Sequence, residues 1–216
     1  MRSEISPHAT CHEIAALTVW RDVLSRQDCR TAVETMTRSA TISGPVLRAS
    51  SDTVDPTMRR CSEHLTEADG MEPVVNAMRA VASRAIEGAR RKRVALDGPK
   101  FCSYTEREFF RAHRDRSEDP RDPAVVRSRI LSIVCLLNDT TLHDGLLAFD
   151  GGALVVYLPG PDGSVTPQSV RLEAGSIVTF RSDLLHEVRP VRAGVRYSAV
   201  GWLYDRDDVD DHREKR

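Results

Sequence analysis

Three stretches of this chain carry side chains whose types and spacing can do chemistry together: FFRAHRDRS with His113 and Asp115, SDLLHEVRPV with His186, and GVRYSAVGW with Arg196 and Ser198. All three read as strand-like, and residues two apart on a strand project from the same face. The imidazole of His113 and the carboxylate of Asp115 can therefore point at one atom, and a distant second histidine, His186, completes a face of donors. Two histidines and one carboxylate leave three positions open on a six-coordinate metal, a set that suits ferrous iron where dioxygen and a cosubstrate bind together. Each piece alone has a plainer reading. His113 and Asp115 can be an exposed polar pair at a strand end, His186 a partly buried histidine bonded to a backbone carbonyl, and Arg196 a surface cation flanking the Gly194 turn. Their order sets them apart: His-x-Asp after an aromatic run, Gly-Gly after a Leu-Leu-Asn strand, Gly-Ser-Ile-Val-Thr-Phe, then His, and ten residues later Arg-x-Ser before an aromatic strand.

The elements that must hold these residues follow from periodicity. Gln27 to Arg38 sits behind a capping Ser25 and places Ala32, Val33 and Met36 on one side at helical spacing. Pro73 opens a second helix through residues 74–91, with Val74, Met78, Val81 and Ile86 as its apolar stripe and basic residues toward its C-terminal end. From Lys100 the pattern changes to the short runs RILSIVCLLND, GGALVVYLPG, SVRLEAGSIVTF and VRYSAVGWLYD, separated by turn formers. The run Ile130 to Leu137 shows too little alternation for a half-exposed sheet, so both faces of such strands must pack. The expected fold is mainly β with N-terminal helices: a double-stranded β-helix, or jelly roll, buttressed by helices on one outer face. One compact domain is expected, with a mainly helical support region over 1–97 that includes some strand, the core over 98–204, and a charged, frayed tail over 205–216. Trp20 and Trp202 are assigned to the core.

Composition narrows the setting. The 216 residues are 40% hydrophobic and 29% charged, with 31 Lys and Arg against 32 Asp and Glu, so no general charge excess points to nucleic acid or to an anionic membrane. No apolar run is long enough to span a bilayer, and the N-terminus has no secretory pattern, which favours a cytoplasmic protein. Five cysteines without a Cys-x-x-Cys pair read as reduced, mostly buried thiols.

At this point the sequence resembles the 2-oxoglutarate and iron(II)-dependent dioxygenases, in their prolyl 4-hydroxylase-like branch, over residues 98–204. The elements that carry the resemblance are Tyr104, His113-Arg114-Asp115, Arg129 with Leu137-Asn138, Gly151-Gly152-Ala153-Leu154, Gly175 to Phe180, His186-Glu187-Val188-Arg189-Pro190-Val191, and Gly194-Val195-Arg196-Tyr197-Ser198. The resemblance implies that His113, Asp115 and His186 hold iron, and that Arg196 pairs with the distal carboxylate of 2-oxoglutarate. Ser198 would add a hydroxyl on the same face, Tyr104 its phenol, and Leu154 packing against the cosubstrate methylenes. A planar guanidinium suits the task, because it grips a carboxylate through two parallel hydrogen bonds.

The same resemblance implies dioxygen as a further cosubstrate, ascorbate as an activator, and a small-molecule or peptide substrate. The reaction would hydroxylate an unactivated C–H bond and release succinate and carbon dioxide. Asp115 favours hydroxylation over halogenation, since halogenating relatives carry a small residue there so that chloride can bind. Two departures stand out. Thr105-Glu106-Arg107-Glu108 replaces a segment in which relatives place a glycine soon after the tyrosine. Leu136 stands where some relatives have a tyrosine that touches the cosubstrate, which leaves Arg196, Ser198 and Tyr104 to carry its carboxylate.

Two rivals belong to other classes: a cupin-like metal enzyme that does not use 2-oxoglutarate, and a non-catalytic 2-oxoglutarate-binding module. His-x-Asp rather than His-x-His, together with Gly-x-Arg-x-Ser, disfavours the first, and the presence of all three ligands disfavours the second. Arg116 to Pro123 reads as a solvated connector with the option of closing over substrate. His143 beside Asp144 reads as structural or exposed, and Arg90-Arg91-Lys92-Arg93 as cations at a helix C-terminus.

Overall fold

The computed structural model describes residues 9–14, 16–48, 51–66, 70–87, 93–140 and 148–214. Its frame is a pair of antiparallel sheets. The major sheet has eight strands in the order Thr10–Ile14, Leu17–Arg21, Ile177–Arg181, Arg129–Leu136, Arg196–Asp205, Val94–Tyr104, Ser62–Leu65 and Ala40–Ser43. The minor sheet has five, in the order Val165–Val170, Leu154–Pro159, His186–Val188, Phe109–His113 and Arg59–Arg60.

Two apolar layers sandwich the major sheet. On its outer face lie helices α1 (Arg26–Arg38) and α2 (Glu72–Ala85), whose Ala32, Met36, Val74 and Met78 pack with Ile133, Cys135, Ile177, Tyr197 and Ala199. On its inner face Cys102, Tyr104, Val134, Val178 and Phe180 meet Leu154, Val156 and Val188 of the minor sheet. The central strands are therefore covered on both sides, which is why their sequences run apolar without alternation. On Arg196–Asp205 the even-numbered Arg196 and Ser198 face inward while Tyr197, Ala199 and Leu203 face the helices.

Local chemistry accounts for the helices. The Ser25 hydroxyl accepts from the Asp28 amide at 3.1 Å and caps α1, and Pro73 sits in the first turn of α2, where its missing N–H costs nothing. Helix α2 ends at Ala85, short of the predicted span, and residues 88–92 with most of the basic run lie outside the described residues.

Three expectations change. The N-terminal region contributes strands to both edges of the major sheet. These edge strands are short and exposed, as the four exposed residues of Ala40–Ser43 illustrate, so they lack the periodicity that marks a buried element. The charged terminus is not frayed over its length: Arg206–Glu214 forms a helix, with acidic residues in its first turn, Val209 buried beneath it, and Arg93 held by Asp207 at 2.8 Å and Asp210 at 3.1 Å. Trp202 is buried but forms the wall of a cleft, with Arg129 stacked 3.8 Å over its ring.

The segment in which relatives carry glycine also has a structural consequence. Arg107 adopts φ +65°, in the left-handed region that glycine tolerates and other residues pay to enter, while its side chain projects into solvent. The amide of Arg107 donates to the Val191 carbonyl at 2.8 Å, which pins the turn in that shape. Arg107→Gly is expected to be neutral to stabilising, by up to about 1 kcal/mol, and Arg107→Val to destabilise by roughly 1–2 kcal/mol in urea unfolding. A stabilising Arg107→Val would contradict the strain.

Candidate active site

The two histidines come together through sheet register. His113 is the last residue of Phe109–His113, His186 is the first of His186–Val188, and the two are register partners across adjacent strands, with ring centroids 4.3 Å apart. Asp115 is not on the strand, as its spacing suggested, but just beyond its end. The chain turns there because the amides of Asp115 and Arg116 both donate to the Ser182 carbonyl, at 3.0 and 2.9 Å. The turn delivers the carboxylate between the rings, with Oδ1 3.5 Å from His113 Nε2 and Oδ2 3.3 Å from His186 Nε2.

Neighbouring groups fix the donors. The Nδ1 atoms of His113 and His186 lie 2.8 and 2.9 Å from the carbonyls of Arg111 and Leu184, so Nδ1–H donates and the Nε2 lone pair is left facing the centre. The Ser132 hydroxyl, on the major sheet, donates to Asp115 Oδ2 at 2.6 Å. Phe110 stacks on His113 at 3.5 Å and Phe180 meets His186 edge-on at 4.8 Å, covering both rings with apolar surface.

Charge follows from this burial. Burial alone raises a carboxyl pKa, but the two imidazoles outweigh it and hold Asp115 well below the usual carboxylate range. Burial lowers His186, yet the Asp115 carboxylate more than compensates and raises it. For His113 burial prevails, helped by His186, and the pKa falls despite Asp115.

The donor set fits a divalent metal. Three ligand atoms, two neutral nitrogens and one carboxylate oxygen, lie within 4.8 Å of one another. Atoms bound at roughly 2.1 Å on adjacent octahedral vertices stand roughly 3 Å apart, so a bound ion would draw this set, whose ligand atoms lie within 4.8 Å, inward. The arrangement covers one face and leaves the opposite one open.

Deeper between the sheets lies a second group. Arg196 and Ser198 share the inner face of their strand, and the guanidinium donates to the Ser198 hydroxyl at 2.8 Å. Tyr104 is the register partner of Arg196 on the neighbouring strand, its ring centroid 5.6 Å from the guanidinium. Arg196 is 2% exposed, and among the described residues no carboxylate pairs with it. A guanidinium so placed is costly to bury unless an anion joins it. Leu154 and Leu136 are buried nearby in the same interior, and Leu136 is the other register partner of Ser198.

Beside the metal ligands a cleft of about 760 Å³ opens to solvent, walled by His113, Asp115, Arg59, Phe110, Arg129 and Trp202 among others. Arg116 to Pro123 is more than a solvated connector. Ser117, Asp122 and Pro123 line the cleft, and the Ser117 hydroxyl donates to Asp122 at 2.5 Å. Arg129 ties this wall together, donating to Asp97 at 2.6 Å and to the Asp115 carbonyl at 3.3 Å. The role of Ser132 was open to discovery in the sequence, as a lone hydroxyl at an inward position of RILSIVCLL. His143 and Asp144 lie outside the described residues.

Residues 99–204 match the family model described as the 2OG-Fe(II) oxygenase superfamily. A PKHD-type hydroxylase of Shewanella oneidensis is 34% identical over 105 residues, which cover 49% of this chain and 42% of the relative. One from Bordetella pertussis is 34% identical over 106 residues with the same coverage. The chain thus matches less than half the length of these curated relatives. Among solved structures, a Pseudomonas putida prolyl-4-hydroxylase superposes with a TM-score of 0.64 at 22% identity, covering 88% of this chain and 92% of that one. A Trichoplax adhaerens prolyl hydroxylase, solved with a hypoxia-inducible-factor peptide fragment, reaches 0.71 at 14% identity and covers 90% of this chain and 86% of that one. At such identities these neighbours establish the jelly-roll fold.

Because Ser132 orients the carboxylate, Ser132→Ala is expected to weaken metal binding by about 10- to 100-fold in a zinc titration while the fold is kept. Unchanged affinity would mean that Asp115 needs no such support.

Proposed function

Because residues 99–204 match the 2OG-Fe(II) oxygenase superfamily, we propose that the chain hydroxylates an unactivated C–H bond of an amino acid, peptide or small natural product, converting 2-oxoglutarate and dioxygen to succinate and carbon dioxide. The observation that carries this reading is the meeting of His113, Asp115 and His186 around one point, together with a buried guanidinium, that of Arg196, with no carboxylate partner among the described residues. His113, Asp115 and His186 are the residues that would hold iron(II), and Arg196, Ser198 and Tyr104 those that would hold the cosubstrate.

When bound, iron(II) with 2-oxoglutarate supplies the activation of dioxygen that breaks the C–H bond, one oxygen atom going to the product and the other to succinate. The chain supplies position and dryness. Arg196 and Ser198 fix the far end of the cosubstrate, so its keto acid end is aimed at the open face of the ligand set. Phe110 and Phe180 keep water off the imidazoles. The cleft walled by His113 and Asp115 would admit the substrate to the ligand set. With a carboxylate at 115 rather than a small residue, Asp115 would take a place at the metal that a halide would need, which favours hydroxyl transfer. Ascorbate serves as activator in this reading. A cytoplasmic setting agrees with the four buried thiols, and no helix among the described residues is long and apolar enough to cross a membrane.

The test is succinate formation from 2-oxoglutarate, with mass spectrometry for a +16 product in an extract supplied with iron and ascorbate. Wild type is expected to form both and His186→Ala neither. Arg196→Met is expected to raise the half-saturating 2-oxoglutarate concentration by one to a few orders of magnitude, as loss of a desolvated charge-assisted pair costs about 2–5 kcal/mol. Equal half-saturation in the two proteins would contradict the role of Arg196.

A further inference from the structure

Arg196 is not the only arginine buried between the sheets. Arg59, on the edge strand Arg59–Arg60 that pairs with Phe109 and Phe110, is 9% exposed. Its Nη1 donates to the Pro45 carbonyl at 2.9 Å and its Nη2 to Cys102 Sγ at 3.2 Å, while Nε is buried with no partner. Its guanidinium lies 4.7 Å from the Phe110 ring that stacks on His113. Among the described residues no carboxylate pairs with it. Its other neighbours are the Tyr104 phenol and the Cys61 and Cys102 sulfurs, and the cation helps to hold the Cys102 thiol below its usual range, so a permanently charged group sits out of water among weakly acidic partners only.

Where Arg59 points gives the clue to its use. Cys102 is the register partner of Ser198, the residue whose hydroxyl receives the Arg196 guanidinium. Directly opposed residues on antiparallel strands have Cβ atoms about 5 Å apart. Two guanidiniums with no carboxylate partner among the described residues therefore end on the two members of one cross-strand pair, with Tyr104 next to both along the inner face. An anion bound beside that pair would compensate both. The other neighbour of Ser198 is Leu136, which offers no donor. The side of Ser198 that faces Cys102 is thus the one where a further donor reaches the site.

We propose that Arg59 is a second carboxylate-binding residue for the cosubstrate, joining Arg196, Ser198 and Tyr104 around the distal carboxylate of 2-oxoglutarate. This rests on the oxygenase reading above. It makes the cosubstrate site depend on a residue outside 99–204, contributed by an edge strand that the matched segment does not contain. It also links the site to the cleft, since Arg59 forms part of the cleft wall and its Nη1 holds the Pro45 carbonyl at the base of the Val46–Arg48 and Ser51–Thr53 hairpin.

The experiment is calorimetric titration of the full chain, loaded with zinc, using two keto acids: 2-oxoglutarate, and 2-oxovalerate, which has the same five carbons but no distal carboxylate. In Arg59→Met the 2-oxoglutarate dissociation constant is expected to rise by roughly ten-fold or more while that of 2-oxovalerate stays within about two-fold. Arg59→Lys keeps the charge without the fork and is expected to lose a few-fold for 2-oxoglutarate only, so it carries the test if the methionine variant does not fold. Unchanged 2-oxoglutarate affinity in Arg59→Met overturns the proposal and leaves Arg59 to the substrate cleft. Equal losses for both keto acids also overturn it, because they mark a structural role. Wild-type protein that bound neither keto acid in the presence of metal would overturn the oxygenase reading, and this assignment with it.

Discussion

His113 stands directly across from His186 on adjacent antiparallel strands, and the rest of the site is built around that pair. Register does what no local sequence preference can: it sets two imidazoles side by side from positions far apart in the chain. A slip of one residue would turn one of them to the opposite face. The register is held from both sides, by the pairing of Leu154–Pro159 with His186–Val188 and by the edge strand Arg59–Arg60 against Phe109 and Phe110. Asp115 then needs only a short turn, fixed by the Ser182 carbonyl, to enter between the rings. Because Ser132 reaches Asp115 from the major sheet, the donor set is complete only when the two sheets are packed together.

The interior has an unusual distribution of charge for a sandwich core. Asp115 is balanced by two imidazoles, whereas among the described residues Arg196 and Arg59 have hydroxyl, thiol and carbonyl partners but no carboxylate. Folding alone gives no reason to keep two such cations, since apolar residues of similar size would pack there at lower cost. Their retention makes physical sense in a protein that receives an anion. Burial beside apolar surface, such as the Phe110 ring 4.7 Å from the Arg59 guanidinium, strengthens that interaction by keeping the dielectric low.

Much of this was legible in the amino-acid order, and the reason is geometric. The runs over Arg129–Leu136, Ile177–Arg181 and Arg196–Asp205 are apolar on both faces because helices cover one side and the second sheet covers the other. The spacing of Arg196 and Ser198 translated directly into a shared inner face. What was not legible depends on pairing across long distances. The strands at residues 10–14 and 40–43 are defined by their partners rather than by their own pattern. Asp115 meets the two histidines through a turn rather than along the strand, because the strand ends at His113. Arg59 stands in the sequence as one of two adjacent arginines, and only the fold shows that one of them is buried beside Cys102.

The central claim is that one metal and one keto acid share a site built by His113, Asp115, His186 and the buried guanidinium of Arg196. The most direct measurement is an anaerobic titration of 2-oxoglutarate into the protein with and without one equivalent of ferrous iron. Binding energies coupled through a shared site must show in both directions. The account predicts one iron per chain and at least a roughly ten-fold tightening of 2-oxoglutarate when iron is present. Equal 2-oxoglutarate affinity with and without iron would contradict it.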